Sequence, residues 1–150
     1  LFSRWVDVNK GRFSELPEGF RVAGEWLALA HGTIYNLTGE PFIPFDLIGP
    51  NGREPHDTAR QLFASTGLQP AFVAHDGGSI SVKSALEALG EKGRHGSVEA
   101  IEGAVWRVER KGVFDFIAKW VNPQKVDGKY LPDIGGGPAI WHAGSLAVAT

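Results

Sequence analysis

Apolar positions along the chain change period several times, and each change marks an element. In "GFRVAGEWLALAHGTIYN", residues 19–36, the pattern predicts a strand, a turn near His31-Gly32 and a second short strand. "PFIPFDLIG", 41–49, is apolar and aromatic and predicts a third strand. Pro44 inside it marks an edge or a bulge, because proline donates no ladder hydrogen bond. The period then lengthens. Ala59, Leu62 and Phe63 fall on one helical face in "TARQLFAST", with Asp57 as N-cap and Gly67 as the stop. "PAFVAH" predicts a short strand. Ser81 caps a second helix in which Val82, Ala85, Leu86 and Leu89 share a face, and Gly90 ends it. "EAIEGAVWRVER" and "VFDFIAKWV" return to strand and meet at Lys111-Gly112, a hairpin turn. Beyond Pro123 glycine and proline are dense, which predicts a loop-rich tail over 123–150. The order β-β-β-α-β-α-β-β predicts a single α+β domain over 1–150, with largely antiparallel sheets and two short helices.

Composition narrows the function classes. The net charge of −2 provides no global basic field, so any nucleic-acid contact needs a local basic groove. The absence of cysteine excludes disulfides and thiolate chemistry. No apolar run approaches the roughly 20 residues of a membrane-spanning helix, and no signal peptide is visible; the expectation is a cytoplasmic protein with no membrane partner. The chain begins at Leu1 and contains no methionine, which predicts a fragment or processed product with residues preceding Leu1.

Three charged residues lie in strand-like surroundings: Glu25 in "AGEWLA", Glu102 in "IEGAVWR" and Lys119 in "FIAKWV". A charge among apolar residues is costly to bury unless it is paired or meets a ligand. The plain alternative is the solvent face of a half-buried strand. Trp26, Trp106 and Trp120 read as core residues. The histidines (His31, His56, His75, His95 and His142) lack metal-ligand spacing and read as solvent-exposed, with His31 able to face a ligand from the end of the first strand. The glycine runs at 77–78 and 135–137 lack the strand–loop–helix setting of a phosphate loop and read as turns.

Taken in order, "GEWLALAHG", "FIPFDLI", "EGAVWRVE" and "AKWV" resemble motif III, the aromatic strand after it, motif IV and motif V of the covalent nucleotidyltransferases. That superfamily contains ATP-dependent ligases and capping enzymes, and the nearest resemblance is to the RNA ligases. The resemblance covers roughly residues 20–130 and implies ATP and Mg²⁺ as cofactors and RNA ends as partner. It implies a reaction in which a lysine takes AMP from ATP, AMP passes to a 5′-phosphate, and a 3′-hydroxyl seals the strand. It assigns Glu25 to the ribose, Phe45 to stacking on adenine, Glu102 to the metal and Lys119 to catalysis at the phosphate. Two positions depart from the pattern: Val121 stands where a second motif V lysine is common, and Arg107 stands where motif IV commonly ends in lysine.

Lys125-Val126-Asp127-Gly128 spells the nucleophile motif of the same enzymes, but it falls after motif V, whereas the family's nucleophile precedes motif III. The tetrapeptide therefore reads as a turn, with Asp127-Gly128 as its turn pair and Lys125 as a possible phosphate contact. Lys10 lacks the D-G context. The nucleophilic lysine is expected in a missing segment upstream of Leu1, and the isolated chain is expected not to adenylylate itself. The rival reading is a non-catalytic binding or structural module that keeps the ligase-like sheet.

Overall fold

The structure, a computed structural model, describes residues 1–37 and 39–142. The elements in chain order are α1 (Phe2–Asn9), a 3-10 turn (Lys10–Phe13), β1 (Arg21–Trp26), β2 (Phe42–Gly49), β3 (Gly52–Arg53), α2 (His56–Thr66), α3 (Val82–Leu89), β4 (Gly103–Arg110), β5 (Val113–Val121) and α4 (Pro132–Gly135). β1, β2 and β3 form one antiparallel sheet with β2 central; β4 and β5 form a separate antiparallel hairpin. The α+β class with antiparallel sheets is as the sequence predicts.

The core sits on one face of the three-stranded sheet. Trp5 from α1 packs with Phe42 and Leu68, and Phe63 and Ala59 from α2 pack with Leu47. Val22 touches both clusters and joins them. A regular strand turns every second side chain to the same face. Phe42 and Leu47 are five residues apart, so a regular β2 would send one of them away from the core. A β-bulge resolves the conflict: Ala23 pairs with Asp46 and Gly24 with Pro44, and Phe45 is the extra residue between them. The bulge at Pro44 lets proline stand inside the central strand and leaves Phe45 41% exposed on the side away from the core. Gly24 allows this packing, since a Cβ there would lie 2.6 Å from the Phe42 ring.

Lys111 and Gly112 turn the β4–β5 hairpin with φ of 53° and 75°. Positive φ at both turn residues matches the twist of the flanking strands. The Ser81 hydroxyl caps α3 by accepting from the Ser84 amide at 3.1 Å.

Several local expectations fail for identifiable reasons. α2 begins at His56 with Pro55 as its N-cap, so Asp57 lies inside the first turn and its side chain caps nothing. "PAFVAH" forms no strand: its Ala71 amide is taken by the Pro44 carbonyl at 2.9 Å, and the segment runs as a loop along the sheet. The second strand expected within 19–36 shrinks to a single bridge between Tyr35 and Ser97. The sequence pattern predicts no element before residue 19 and none in the tail, and the structure has helices in both. α1 docks through Trp5, whose indole also donates to Glu40 at 2.8 Å. Within the expected tail, α4 forms and Trp141 bridges to Leu29. Residues 143–150 of that tail lie outside the described residues.

Candidate functional site

The bulge that settles the core on one face of the first sheet leaves Phe45 on the other face. That face, the 70–80 loop, α3 and β4 enclose a cleft of about 760 Å³. Glu25 and Phe45 line it from β1 and β2, and Glu102 lines it from the residue before β4. Three of the four residues singled out by the sequence are thus brought together although they span 25 to 102. Lys119 is not among the lining residues. It is exposed on β5 and pairs directly with Val105, which does line the cleft. Directly paired residues share a sheet face, so Lys119 stands on the side of the hairpin that Val105 presents.

Glu102 is held from two directions. The Thr33 hydroxyl donates to its Oε1 at 2.5 Å, and Lys125 Nζ donates to its Oε2 at 2.7 Å. The hydrogen bond to Glu102 raises the Lys125 pKa above its ordinary value. A lysine kept as an ammonium has no lone pair for attack on phosphorus, which supports reading K-V-D-G as something other than the nucleophile motif. The Asp127-Gly128 pair is indeed a turn, with Gly128 at φ 69°.

At the other end of the cleft the two sheets are clasped together. Asp46, 2% exposed, accepts from Arg53 Nε at 2.8 Å and from the Arg107 guanidinium. Arg107 also donates to the Glu54 carbonyl and, through Nε, to Glu109 at 2.7 Å. Both guanidinium groups lie over the Phe114 ring, Arg53 at 5.1 Å and Arg107 at 5.0 Å from its centroid. Arg107 therefore fastens β4 to β2 and the chain ahead of α2. Its planar fork serves several acceptors at once, which a lysine ammonium would do less well.

Sequence reasoning missed two cleft residues. Tyr35 lines the cleft, and its pKa is pushed up to about 12, first by burial and then by the carboxylates of Glu102 and Glu25. It is a neutral phenol across the ordinary pH range and so a hydrogen-bond donor. His56 lines the cleft with both ring nitrogens shielded from solvent and without a hydrogen-bond partner among the described residues. Its position at the start of α2, beside Glu109, is set by tertiary packing and left no spacing signal. Of the other histidines, His75 is exposed as expected and His95 half-buried, both lining the cleft; His142 is 7% exposed and binds the Leu27 carbonyl at 2.5 Å, and His31 is exposed but outside the cleft lining. Trp26, Trp106 and Trp120 are half-buried rather than fully enclosed, and Trp106 lines the cleft.

Two carboxylates at the margins give the fold a defined acid limb. Burial pushes the pKa of Glu99 up, but hydrogen bonds from Lys129, Tyr130 and the Ile34 amide outweigh it and leave the value below its ordinary 4.5. Glu109 is lowered in the same way, burial being outweighed by Arg107 and the His56 amide. A carboxylate lowered in the folded state stabilises the fold fully above its unfolded pKa, and that contribution vanishes as pH falls through the folded value. Stability measured by urea denaturation is therefore expected to drop as pH falls below the ordinary carboxylate value of 4.5. Glu99→Gln/Glu109→Gln should start less stable at neutral pH and lose less on acidification. An unchanged acid limb in that variant would contradict the assignment.

Mg²⁺ bound mainly through nucleotide phosphates needs only one or two protein carboxylates. Glu102 and Glu25 supply hard oxygens of that kind in the cleft. Among the described residues no group of three or more histidine or acidic side chains is gathered for a metal. Among the described residues, no helix is long and apolar enough to cross a membrane. Comparison with protein-family models, with curated proteins and with solved structures found no match.

Proposed function

We propose that this chain is the central and C-terminal part of an ATP-dependent RNA ligase nucleotidyltransferase domain, with the cleft as its nucleotide site. The observation that carries the reading is the convergence of Glu25, Phe45 and Glu102 on one cleft. An aromatic face, a carboxylate for ribose hydroxyls and a second carboxylate for a phosphate-bound cation suit a nucleoside triphosphate. Phe45, half-exposed at the bulge, would stack on the base. Glu25, paired with Ile43 across the sheet, would accept from the ribose. Tyr35 would donate to a ligand oxygen between Glu25 and Glu102. Lys119, on the face of Val105, would reach the α-phosphate as negative charge develops there. Glu102 would hold Mg²⁺, which when bound neutralises the triphosphate.

In the reaction proposed, a lysine amine from outside this chain forms a bond to the α-phosphorus. The bond from that phosphorus to the bridging oxygen breaks, pyrophosphate leaves with the electron pair, and the amine gives up a proton. The cleft residues orient the base and sugar so that the leaving oxygen lies opposite the attacking nitrogen. The paired state of Lys125 also favours a second reading for the chain alone, a nucleotide-binding module that performs no transfer.

Labelled ATP tests both. Equilibrium dialysis with Mg²⁺ is expected to show saturable binding to the parent and weaker binding to Glu25→Ala. A denaturing gel of the same mixture is expected to show no AMP on the isolated chain. Absence of saturable binding would overturn the nucleotide reading, and stoichiometric AMP on Lys125 would overturn its assignment as a non-nucleophile.

A further inference from the structure

The nucleotide reading gives Lys125 at most a phosphate contact, yet the chain around it fixes the position of its ammonium. The segment from Asn122 to Tyr130 docks back on the residues after β1, with the Tyr130 amide donating to the His31 carbonyl at 2.9 Å. Lys129 and Tyr130 both donate to Glu99 at 2.7 Å and anchor the far side of that segment. Lys125 Nζ then reaches Glu102 at 2.7 Å and Asp127 at 3.6 Å. Gly32 leaves the room this needs, since a Cβ there would lie 2.8 Å from Glu102 Oε1 and 3.2 Å from Lys125 Cε. The Lys125 side chain is 18% exposed and that of Glu102 35%. Glu102 faces two spaces, the large cleft and a small polar one lined by Lys125, Lys129, Asn122 and Gln124.

We infer that Lys125 is a tethered counter-cation for Glu102 and competes with a divalent metal for its carboxylate. This rests on the nucleotide reading only in assigning Glu102 to a metal. One carboxylate oxygen is engaged by a fixed charge of +1, so an incoming metal ion must displace the ammonium or share the carboxylate with it. The competition keeps Glu102 compensated when the cleft is empty and makes free metal bind weakly. A metal that arrives with a triphosphate brings its own anionic partner, and the displaced ammonium gains a phosphate to face. Lys125 is thus a positioning residue that biases the site toward metal–nucleotide over metal alone. It also supplies a second cation near the phosphates in a chain whose second motif V position is Val121.

Mn²⁺ alone is the probe, with free ion followed by electron paramagnetic resonance and no nucleotide present. Removing a partly exposed ion-pair partner is worth up to about 1 kcal/mol. Lys125→Met is therefore expected to tighten the Glu102-dependent Mn²⁺ site roughly three- to fivefold. Lys125→Arg, which keeps the charge, should bind Mn²⁺ like the parent, and Glu102→Gln/Lys125→Met should lose the gain. An unchanged or weaker affinity in a folded Lys125→Met variant would overturn the inference, as would a gain that persists without Glu102. Circular dichroism establishes folding, and Lys125→Gln serves if Lys125→Met is unfolded. ATP binding without metal is measured separately. If ATP does not bind while Mn²⁺ responds as described, the nucleotide reading fails and the competition stands.

Discussion

Asp46→Ala is expected to lower stability by about 3 kcal/mol, among the largest effects of any single polar substitution in this chain. The carboxylate is buried and receives two guanidinium groups, Arg53 and Arg107. Breaking a buried ion pair from one side leaves the other charge uncompensated, at a cost of about 3–5 kcal/mol. Glu109 still engages Arg107, and Arg53 is partly exposed, so the lower end of that range applies. For a domain of this size the melting temperature should fall by roughly 6–12 °C. Asp46→Asn keeps an acceptor and should cost less. Asp57→Ala, at an exposed position in the first turn of α2, should change stability by no more than about 0.5 kcal/mol. Urea denaturation checks all three. A loss below about 1 kcal/mol for Asp46→Ala would mean that the clasp contributes little. Because Asp46 joins β2 to β4, the same variant should also bind ATP more weakly, through a loosened cleft.

Phe45→Ala is expected to weaken ATP binding by roughly one to two orders of magnitude while leaving the fold intact. Stacking of a base on an aromatic side chain is worth about 1–3 kcal/mol. Phe45 takes no part in either core cluster and is 41% exposed, so its removal opens no cavity. Phe45→Trp should retain most of the affinity. The comparison with Phe63→Ala separates the two roles: Phe63 is 1% exposed, and its truncation should destabilise the fold by about 3 kcal/mol through a core cavity. Equal ATP affinity in the parent, Phe45→Ala and Phe45→Trp would reduce Phe45 to a surface residue.

The readable parts of this fold were those decided locally. Gly67 and Gly90 stop their helices and Lys111-Gly112 turns the hairpin through their own backbone, and the Ser81 hydroxyl caps α3 on an amide three residues away, so each acts within a few residues. Pro44 signalled an edge or a bulge, but not which of the two, nor that Phe45 would be the residue pushed into the cleft. That outcome depends on Phe42 and Leu47 both reaching the core. "PAFVAH" has strand composition, yet its chain passes the sheet as a loop. α1 was unseen although Phe2, Trp5 and Val6 lie at helical spacing, because eight residues with no side-chain cap are shorter than the window in which a helical period is distinctive.

The site divides in the same way. Glu25, Phe45 and Glu102 were visible as charges or aromatics in strand surroundings, and the fold gathers them. Tyr35 and His56 sit in loop and helix-start positions with no distinguishing pattern, and only tertiary packing brings them to the cleft. The Glu102–Lys125 pair joins a strand edge to a turn, and nothing in either stretch alone shows it.

The central claim is that the cleft between the two sheets holds a nucleoside triphosphate against Phe45. Photolabelling with 8-azido-ATP, followed by peptide mapping, tests it most directly, because the reactive group sits on the base itself. The expected result is label in the peptide carrying Phe45, suppressed by excess ATP and reduced in Phe45→Ala. Label that ATP suppresses but that maps to residues 2–13, on the core side of the sheet, would contradict the account.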